Sequence, residues 1–67
     1  MKIKFQITLK AVRVNAGLKL VDAAKMLNIS PTTLIKWEKR PGDLTPNQQR
    51  LISEVYDFPT DNIFFGN

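Results

Sequence analysis

The chain has 67 residues with no Cys and no His, so it is long enough for one domain but cannot form disulfides, thiolate zinc sites or a Cys- or Ser-His catalytic pair. No stretch is long and apolar enough to be a signal peptide or a membrane span, and we therefore expect a cytoplasmic protein. The charge is unevenly distributed along the chain. Residues 1–40 carry nine Lys or Arg and two acidic residues, whereas residues 41–67 carry one Arg and four acidic residues. A basic segment of this kind is typical of a polyanion-binding surface.

The N-terminal residues 1–7 alternate polar and apolar side chains from Lys2 to Ile7, which predicts a short extended arm. One strand is not stable alone, so the arm must either lie on the helices or pair with a second subunit. The first alternative is favoured, with Phe5 and Ile7 as its anchors.

Thr8 is the predicted N-cap of a first helix that runs to about Ala16. Leu9, Val12 and Ala16 form its apolar stripe, and Gly17 supplies a left-handed residue at its end. Arg13 lies beside the stripe, where a charged side chain usually stays at the solvated rim.

A second helix is predicted to begin near Lys19 or Leu20 and to end at Asn28, a residue that tolerates the left-handed conformation. Its inner face consists of small or apolar residues at helical spacing: Leu20, Ala23, Ala24 and Leu27. The small Ala24 either allows a close helix crossing or is simply a good helix former, and its place just before the bend favours the crossing.

Ser30 as N-cap and Pro31 at the first position predict a third helix from Pro31 to about Lys39. Leu34 and Trp37 face the core, although Trp37 could instead stack on a base. The residues left outside are Thr32, Thr33, Ile35, Lys36 and Lys39. The second and third helices then form a helix-turn-helix, a motif that often lays its second helix in a DNA major groove.

Residues 40–46 form a loop, after which Thr45, Pro46 and Gln48 predict a capped fourth helix that runs to about Tyr56. Its predicted inner residues are Ile52, Val55 and Tyr56. A last short helix begins at Thr60 or Asp61, with Ile63 and Phe64 closing the core. The predicted fold is therefore all-α, with five short helices in one domain over residues 1–67, of which 1–7 are the arm and 8–66 the helical core.

The order and spacing of these residues resemble the lambda-repressor-like (Cro-type or XRE-type) helix-turn-helix DNA-binding domain, from about Leu9 to Gly66. The residues that carry the resemblance are Leu9, Arg13, Gly17-Leu18, Ala23-Ala24, Leu27 to Ser30, Leu34, Trp37-Glu38 and the closing run from Val55 to Phe64. The resemblance implies an ion pair between Arg13 and Glu38, because equivalent positions are paired in several relatives.

The resemblance implies a sequence-specific double-stranded DNA-binding transcriptional regulator, of phage or bacterial repressor type, with the recognition helix at about residues 31–39. We expect Thr32 and Lys36 to contact bases, with Pro31 able to touch a thymine methyl group. The expected phosphate-binding residues are Lys19, Ser30, Thr33, Lys39 and Arg40.

A homodimer is expected, because one short helix contacts too few base pairs for useful specificity. The candidate dimer contacts are Leu51, Phe58, Phe64, Phe65 and the arm residues Ile3 and Phe5. No cofactor, metal or small-molecule ligand is expected. Enzyme activity is not expected either, because six carboxylates without His or Cys leave little for acid–base catalysis.

A second class of function stays open, namely a protein-interaction module that keeps the fold and has lost DNA binding. Two departures from the family favour it: Leu20 stands where the family commonly has a phosphate-contacting Gln, and Pro31 offers no donor at a position that is often Gln or Arg. An antitoxin or a restriction-control protein would be a DNA-binding variant that the sequence does not separate from a repressor.

Overall fold

The computed structural model describes residues 5–66. The order of its helical elements is α1 (Leu9–Asn15), α2 (Leu20–Met26), α3 (Pro31–Lys39), a 3-10 turn (Pro41–Asp43), α4 (Pro46–Tyr56) and a second 3-10 turn (Thr60–Asn62). The all-α class is confirmed, although the predicted fifth helix is only a 3-10 turn. It stops there because Ile63 is already extended. None of the described helices has the length and apolar character needed to cross a membrane.

Three of the four helices begin at side-chain caps that local sequence specifies. The Thr8 hydroxyl accepts from the amide of Ala11 at 3.1 Å. The Thr45 hydroxyl accepts from the amide of Gln48 at 3.2 Å, and the Gln48 side chain accepts from the amide of Thr45 at 2.9 Å, which completes the predicted capping box. These bonds fix where each helix starts, and hence which side chains face inward.

The bend between α2 and α3 is built as the sequence predicts. Asn28 has φ 59°, in the left-handed region, and the amide of Ile29 donates to the carbonyl of Ala24 at 2.9 Å. Ala24 itself is 1% exposed. A larger side chain there has no space between the two helices, so the close-crossing interpretation of Ala24 is the one that its burial supports.

The core lies between all four helices and the last 3-10 turn. Its buried apolar residues are Leu9, Val12, Ala23, Ala24, Leu27, Leu34, Leu44, Ile52, Tyr56 and Ile63. Trp37 is half-buried and packs against this cluster. The prediction that Ala16 continues the stripe of α1 was wrong, because α1 ends at Asn15 and Ala16 is its exposed C-cap.

The N-terminal arm pairs with the C-terminal segment of the same chain. The amide of Ile7 donates to the carbonyl of Asn62 at 3.0 Å, and the amide of Phe64 donates to the carbonyl of Ile7 at 2.9 Å, in a parallel bridge between Ile7 and Ile63. The side-chain amide of Asn62 also donates to the carbonyl of Phe5 at 3.0 Å. The described part of the arm is therefore held by backbone pairing within one chain.

Two predictions about these segments were wrong. Phe5 is 78% exposed and anchors nothing, whereas Ile7 packs against the core. Phe64 is 43% exposed instead of closing the core. The exposure of Phe64 follows from the geometry of an extended segment, in which successive side chains point to opposite sides, so the burial of Ile63 turns its neighbour outward. Ile3, a candidate dimer contact, lies outside the described residues.

Candidate nucleic-acid interface

The outer face of α3 brings together the polar residues that the sequence singled out. Leu34 is 0% exposed and fixes the inner side of the helix. Thr32, Lys36 and Lys39 are all exposed. At 100° per residue, these three lie on the side opposite Leu34, within one stripe along the helix. The face that α3 turns to solvent therefore carries one hydroxyl and two ammonium groups.

The N-terminus of α3 is occupied by its own cap. The Ser30 hydroxyl accepts from the amide of Thr33 at 3.1 Å and lies 2.9 Å from the Thr33 hydroxyl. The amide of Leu34 donates to the carbonyl of Ser30 at 3.1 Å, and Pro31 has no amide hydrogen. Of the amides in the first turn of α3, only that of Thr32 has no acceptor within the described residues, so it is free to bind a ligand.

The cations flanking α3 differ in what they contact. Lys19 is exposed at the start of α2, and its side chain makes no capping bond. Arg40 pairs with Asp43, with its Nε 3.1 Å from the Asp43 Oδ2, and both side chains are more than 60% exposed, at 69% and 63%. An exposed pair of this kind contributes little free energy, so the Arg40 guanidinium can exchange Asp43 for a phosphate.

Two open grooves border the outer face of α3. The first, of about 500 Å³, lies between the end of α3 and the start of α4, and its lining residues are Lys36, Trp37, Lys39, Arg40, Asp43 and Gln48. The second, of about 330 Å³, lies between α1, the start of α2 and α3, and its lining residues are Lys10, Arg13, Leu20, Ile35, Glu38 and Lys39. Both grooves carry more cationic than anionic side chains. Sequence reasoning did not single out Lys10 and Ile35 as site residues, although an apolar Ile predicted on the outer face of the third helix is a usable signal.

Arg13 is a buried residue of this region and pairs with Glu38, the partner that the resemblance implies, although a charged residue beside an apolar stripe usually stays at the solvated rim. Its Nε donates to the Oε2 of Glu38 at 2.7 Å, and a second guanidinium nitrogen donates to the carbonyl of Leu18 at 3.0 Å. The two paired side chains are only 10% and 11% exposed. One guanidinium therefore joins α1, the turn after it and the end of α3, which holds the cationic face in place.

Tyr56 lies close enough to the Arg13–Glu38 pair for both charges to affect the pKa of its hydroxyl. Its hydroxyl is buried, and no group in the described residues forms a hydrogen bond with it. Burial, reinforced by the negative charge of Glu38 and opposed by Arg13, raises the pKa of Tyr56 from 10.0 to about 12. The phenol is consequently neutral throughout the physiological range.

Within residues 5–66, no group of acidic side chains is arranged to hold a metal ion. The surface carries hydrogen-bond donors, positive charge and some apolar area. Proteins use such groups to bind nucleic acid without catalysing a reaction on it. A family model described as helix-turn-helix matches residues 9–63, from the first residue of α1 to the buried Ile63. No curated protein and no solved structure gives a significant match to the chain.

Proposed function

The chain belongs to the Cro/C1-type helix-turn-helix family of DNA-binding regulators, and on that premise we propose that it binds double-stranded DNA sequence-specifically and regulates transcription, with α3 in the major groove. The observation that carries the proposal is the outward stripe of Thr32, Lys36 and Lys39 on a helix whose opposite side is closed by Leu34. The major groove is about 12 Å wide and admits one such helix.

The residues that contact bases are Thr32 and Lys36, one turn apart on α3. The Lys36 ammonium is a donor suited to the O6 and N7 acceptors of guanine. The Thr32 hydroxyl bonds either a donor or an acceptor on a base edge, and Pro31 touches a thymine methyl group. All three are exposed in the absence of DNA, so no rearrangement of the core is needed for them to reach a base.

The phosphate contacts come from residues on both sides of that stripe. Lys19, Lys39 and Arg40 supply the charge, and Arg40 exchanges its Asp43 partner for a phosphate. Ser30 and Thr33 act mainly by capping the N-terminus of α3. There the Thr32 amide donates to a phosphate of the DNA backbone. These contacts set the register of α3 in the groove without selecting a sequence.

We further propose that the regulator is of phage or bacterial repressor type, that residues 1–67 act as one domain, and that two copies bind paired half-sites. The backbone pairing of Ile7 with residues 62–64 supports the inclusion of the arm in the domain. Candidate dimer contacts with exposed area are Phe5, Leu51 and Phe64, and Phe58 and Phe65 are half-buried beside the core. Analytical ultracentrifugation with DNA tests this, and a monomer on the duplex would remove the dimer from the proposal.

The central experiment selects bound sequences from random duplex DNA and measures affinity by fluorescence anisotropy at two salt concentrations. Lys36→Ala should lower affinity and relax preference at one base position, whereas Lys39→Ala should lower affinity for all sequences and reduce the salt slope by about 0.9. Lys25→Ala, an exposed Lys on α2 outside both grooves, is the charge-matched control. If both α3 variants bind like Lys25→Ala, α3 is not the recognition helix.

The competing candidate is a protein-interaction module on the same fold. Two observations favour it: Leu20 has no polar group for a phosphate, and Pro31 has no donor at the start of α3. Failure of the protein to bind any duplex at low salt would favour the module over the regulator.

A further inference from the structure

Ile35 is an apolar side chain exposed on the recognition helix. It is 40% exposed, at the middle of α3, directly before Lys36 and three residues after Thr32. A β-branched apolar residue gains nothing from water at such a position. Thr32 and Lys36, which are proposed above to contact base edges, stand on either side of it in the sequence of α3. Ile35 is therefore placed where an apolar side chain would meet the floor of the major groove.

The surroundings of Ile35 favour a polyanion over an apolar protein partner. Ile35 and Leu20 line the second groove together with Lys10 and Lys39, whose ammonium groups border the apolar surface. The acidic residue of this groove, Glu38, is neutralised by Arg13 at 2.7 Å. An apolar strip lined by two lysines that form no ion pair within residues 5–66 is complementary to a DNA edge, where phosphates flank the bases.

The major groove presents one apolar group to such a strip. Base edges there are hydrogen-bond donors and acceptors, and the C5-methyl group of thymine is the exception. Burying Ile35 against a donor or acceptor would leave that polar group without its water, which costs affinity, whereas a methyl group gains from the contact. The chemistry of the side chain thus selects the base that it faces.

We propose that Ile35 is a specificity-determining residue that contacts a thymine C5-methyl group in each half-site, with Leu20 supporting it from α2. The proposal rests on the DNA-binding function proposed above and adds to Thr32, Lys36 and Pro31 a fourth base contact, made by apolar area instead of a hydrogen bond. It predicts that the preferred site contains thymine next to the base contacted by Lys36.

The test replaces each thymine of the selected duplex, one at a time, by deoxyuridine, which removes the methyl group alone. Fluorescence anisotropy then compares the native protein, Ile35→Ala and Ile35→Val. At the position next to the base contacted by Lys36, the native protein should lose about fourfold in affinity with deoxyuridine, the value of one buried methyl group. Ile35→Ala should bind the thymine and deoxyuridine duplexes equally, and Ile35→Val should retain part of the difference.

Val14→Ala is the matched control, because Val14 is also β-branched, is 59% exposed on α1, and lines neither groove. It should keep the native ratio of affinities for thymine and deoxyuridine, and circular dichroism should show that Ile35→Ala remains folded. The proposal is overturned if no deoxyuridine position weakens the native protein, if Ile35→Ala keeps the native ratio, or if the selected half-site contains no thymine.

These outcomes separate the proposal from its premise. If the chain enriches no sequence and binds no duplex at low salt, the DNA-binding function itself fails, and Ile35 fails with it. If a site is enriched but is insensitive to the methyl group, only the role of Ile35 fails. Loss of self-association in Ile35→Ala without a change in the thymine ratio would assign Ile35 to a protein interface and likewise overturn the proposal.

Discussion

Arg13 and Glu38, 25 residues apart in the chain, form an ion pair with 2.7 Å between Nε and Oε2. Because Arg13 also donates to the carbonyl of Leu18, the pair fixes α1 and the following turn against the C-terminal part of α3. α3 is therefore held by a charge contact at this end and by the packing of Leu34 against the core.

Glu38→Ala should destabilise the protein strongly, because it leaves the nearly buried Arg13 guanidinium without its counter-charge. The expected cost is on the order of 3 kcal/mol, which corresponds to a fall in Tm of more than about 10 °C in a chain of this size. Glu54→Ala, at an exposed position of α4, should change stability by about 0.5 kcal/mol or less. Thermal denaturation followed by circular dichroism measures both, and equal losses would remove the structural role of the pair.

Tyr56→Phe should leave stability at pH 7 unchanged or raise it by up to about 1 kcal/mol. The phenol oxygen is buried and has no hydrogen-bond partner in the described residues, so its removal breaks no bond and relieves an unsatisfied group. Tyr56→Ala is the contrasting variant, which should cost about 3–5 kcal/mol because the 4% exposed ring is lost. Urea unfolding distinguishes the cases, and a loss above about 1 kcal/mol in Tyr56→Phe would indicate an additional polar partner.

Stability should also fall at alkaline pH through Tyr56. Its pKa is raised from 10.0 to about 12 by burial and by Glu38, so the unfolded chain loses the phenol proton at a lower pH than the folded chain. The contribution of the neutral phenol to the unfolding free energy is complete below pH 10 and is lost as the pH rises through 12. At pH 12 the loss is about 2 kcal/mol. The measurement is the difference in unfolding free energy between native protein and Tyr56→Phe at each pH, which isolates the contribution of this phenol. If the difference in unfolding free energy between native protein and Tyr56→Phe stays constant from pH 8 to 12, the pKa of Tyr56 is not raised by folding.

Asn28→Ala should destabilise the bend between α2 and α3 by about 1 kcal/mol, because φ is 59° there and a Cβ without a polar group is strained in that region. Asn28→Gly should be neutral or stabilising, since glycine adopts this conformation freely. Asn15→Ala makes the same change inside α1 and should not destabilise, as Ala is the better helix former. Chemical denaturation of the three variants checks the order, and equal effects of the two alanines would contradict it.

Ile63→Ala and Phe64→Ala should differ although the residues are neighbours. Ile63 is 1% exposed and its truncation should cost about 2–5 kcal/mol, whereas the 43% exposed Phe64 should cost about 0.5 kcal/mol. Unfolding free energies in urea give the comparison. A larger loss for Phe64→Ala would mean that the aromatic ring, not the Ile side chain, closes the core.

The sequence predicts the helices closely because their ends depend on local signals. Ser30 and Pro31 start α3, and Thr45 with Gln48 starts α4, at the residues where the structure has them. Apolar spacing also predicts the burial of Leu34 and the outward stripe of α3, since both follow from one helical period. For the same reason, the candidate site on α3 is visible in the sequence alone.

What the sequence does not predict depends on contacts between distant segments. The ion pair of Arg13 with Glu38 is implied by the family resemblance alone, because the two residues are 25 apart in the chain, and the outward turn of Phe64 follows from the pairing of Ile7 with residues 62–64. The apolar strip of Ile35 with Leu20 likewise arises from how α2 and α3 meet. No local pattern carries that information.

The bonds between Ile7 and the segment 62–64 also bear on how the chain can be rearranged. They place the first and the last described segments next to each other, so the two segments are close enough in space to be joined. A short flexible linker between those segments, with new ends opened between the exposed Ala16 and Gly17, would give a circular permutant with every helix intact. In such a permutant the helix-turn-helix would begin a few residues from the new N-terminus, and the arm would become an internal connection.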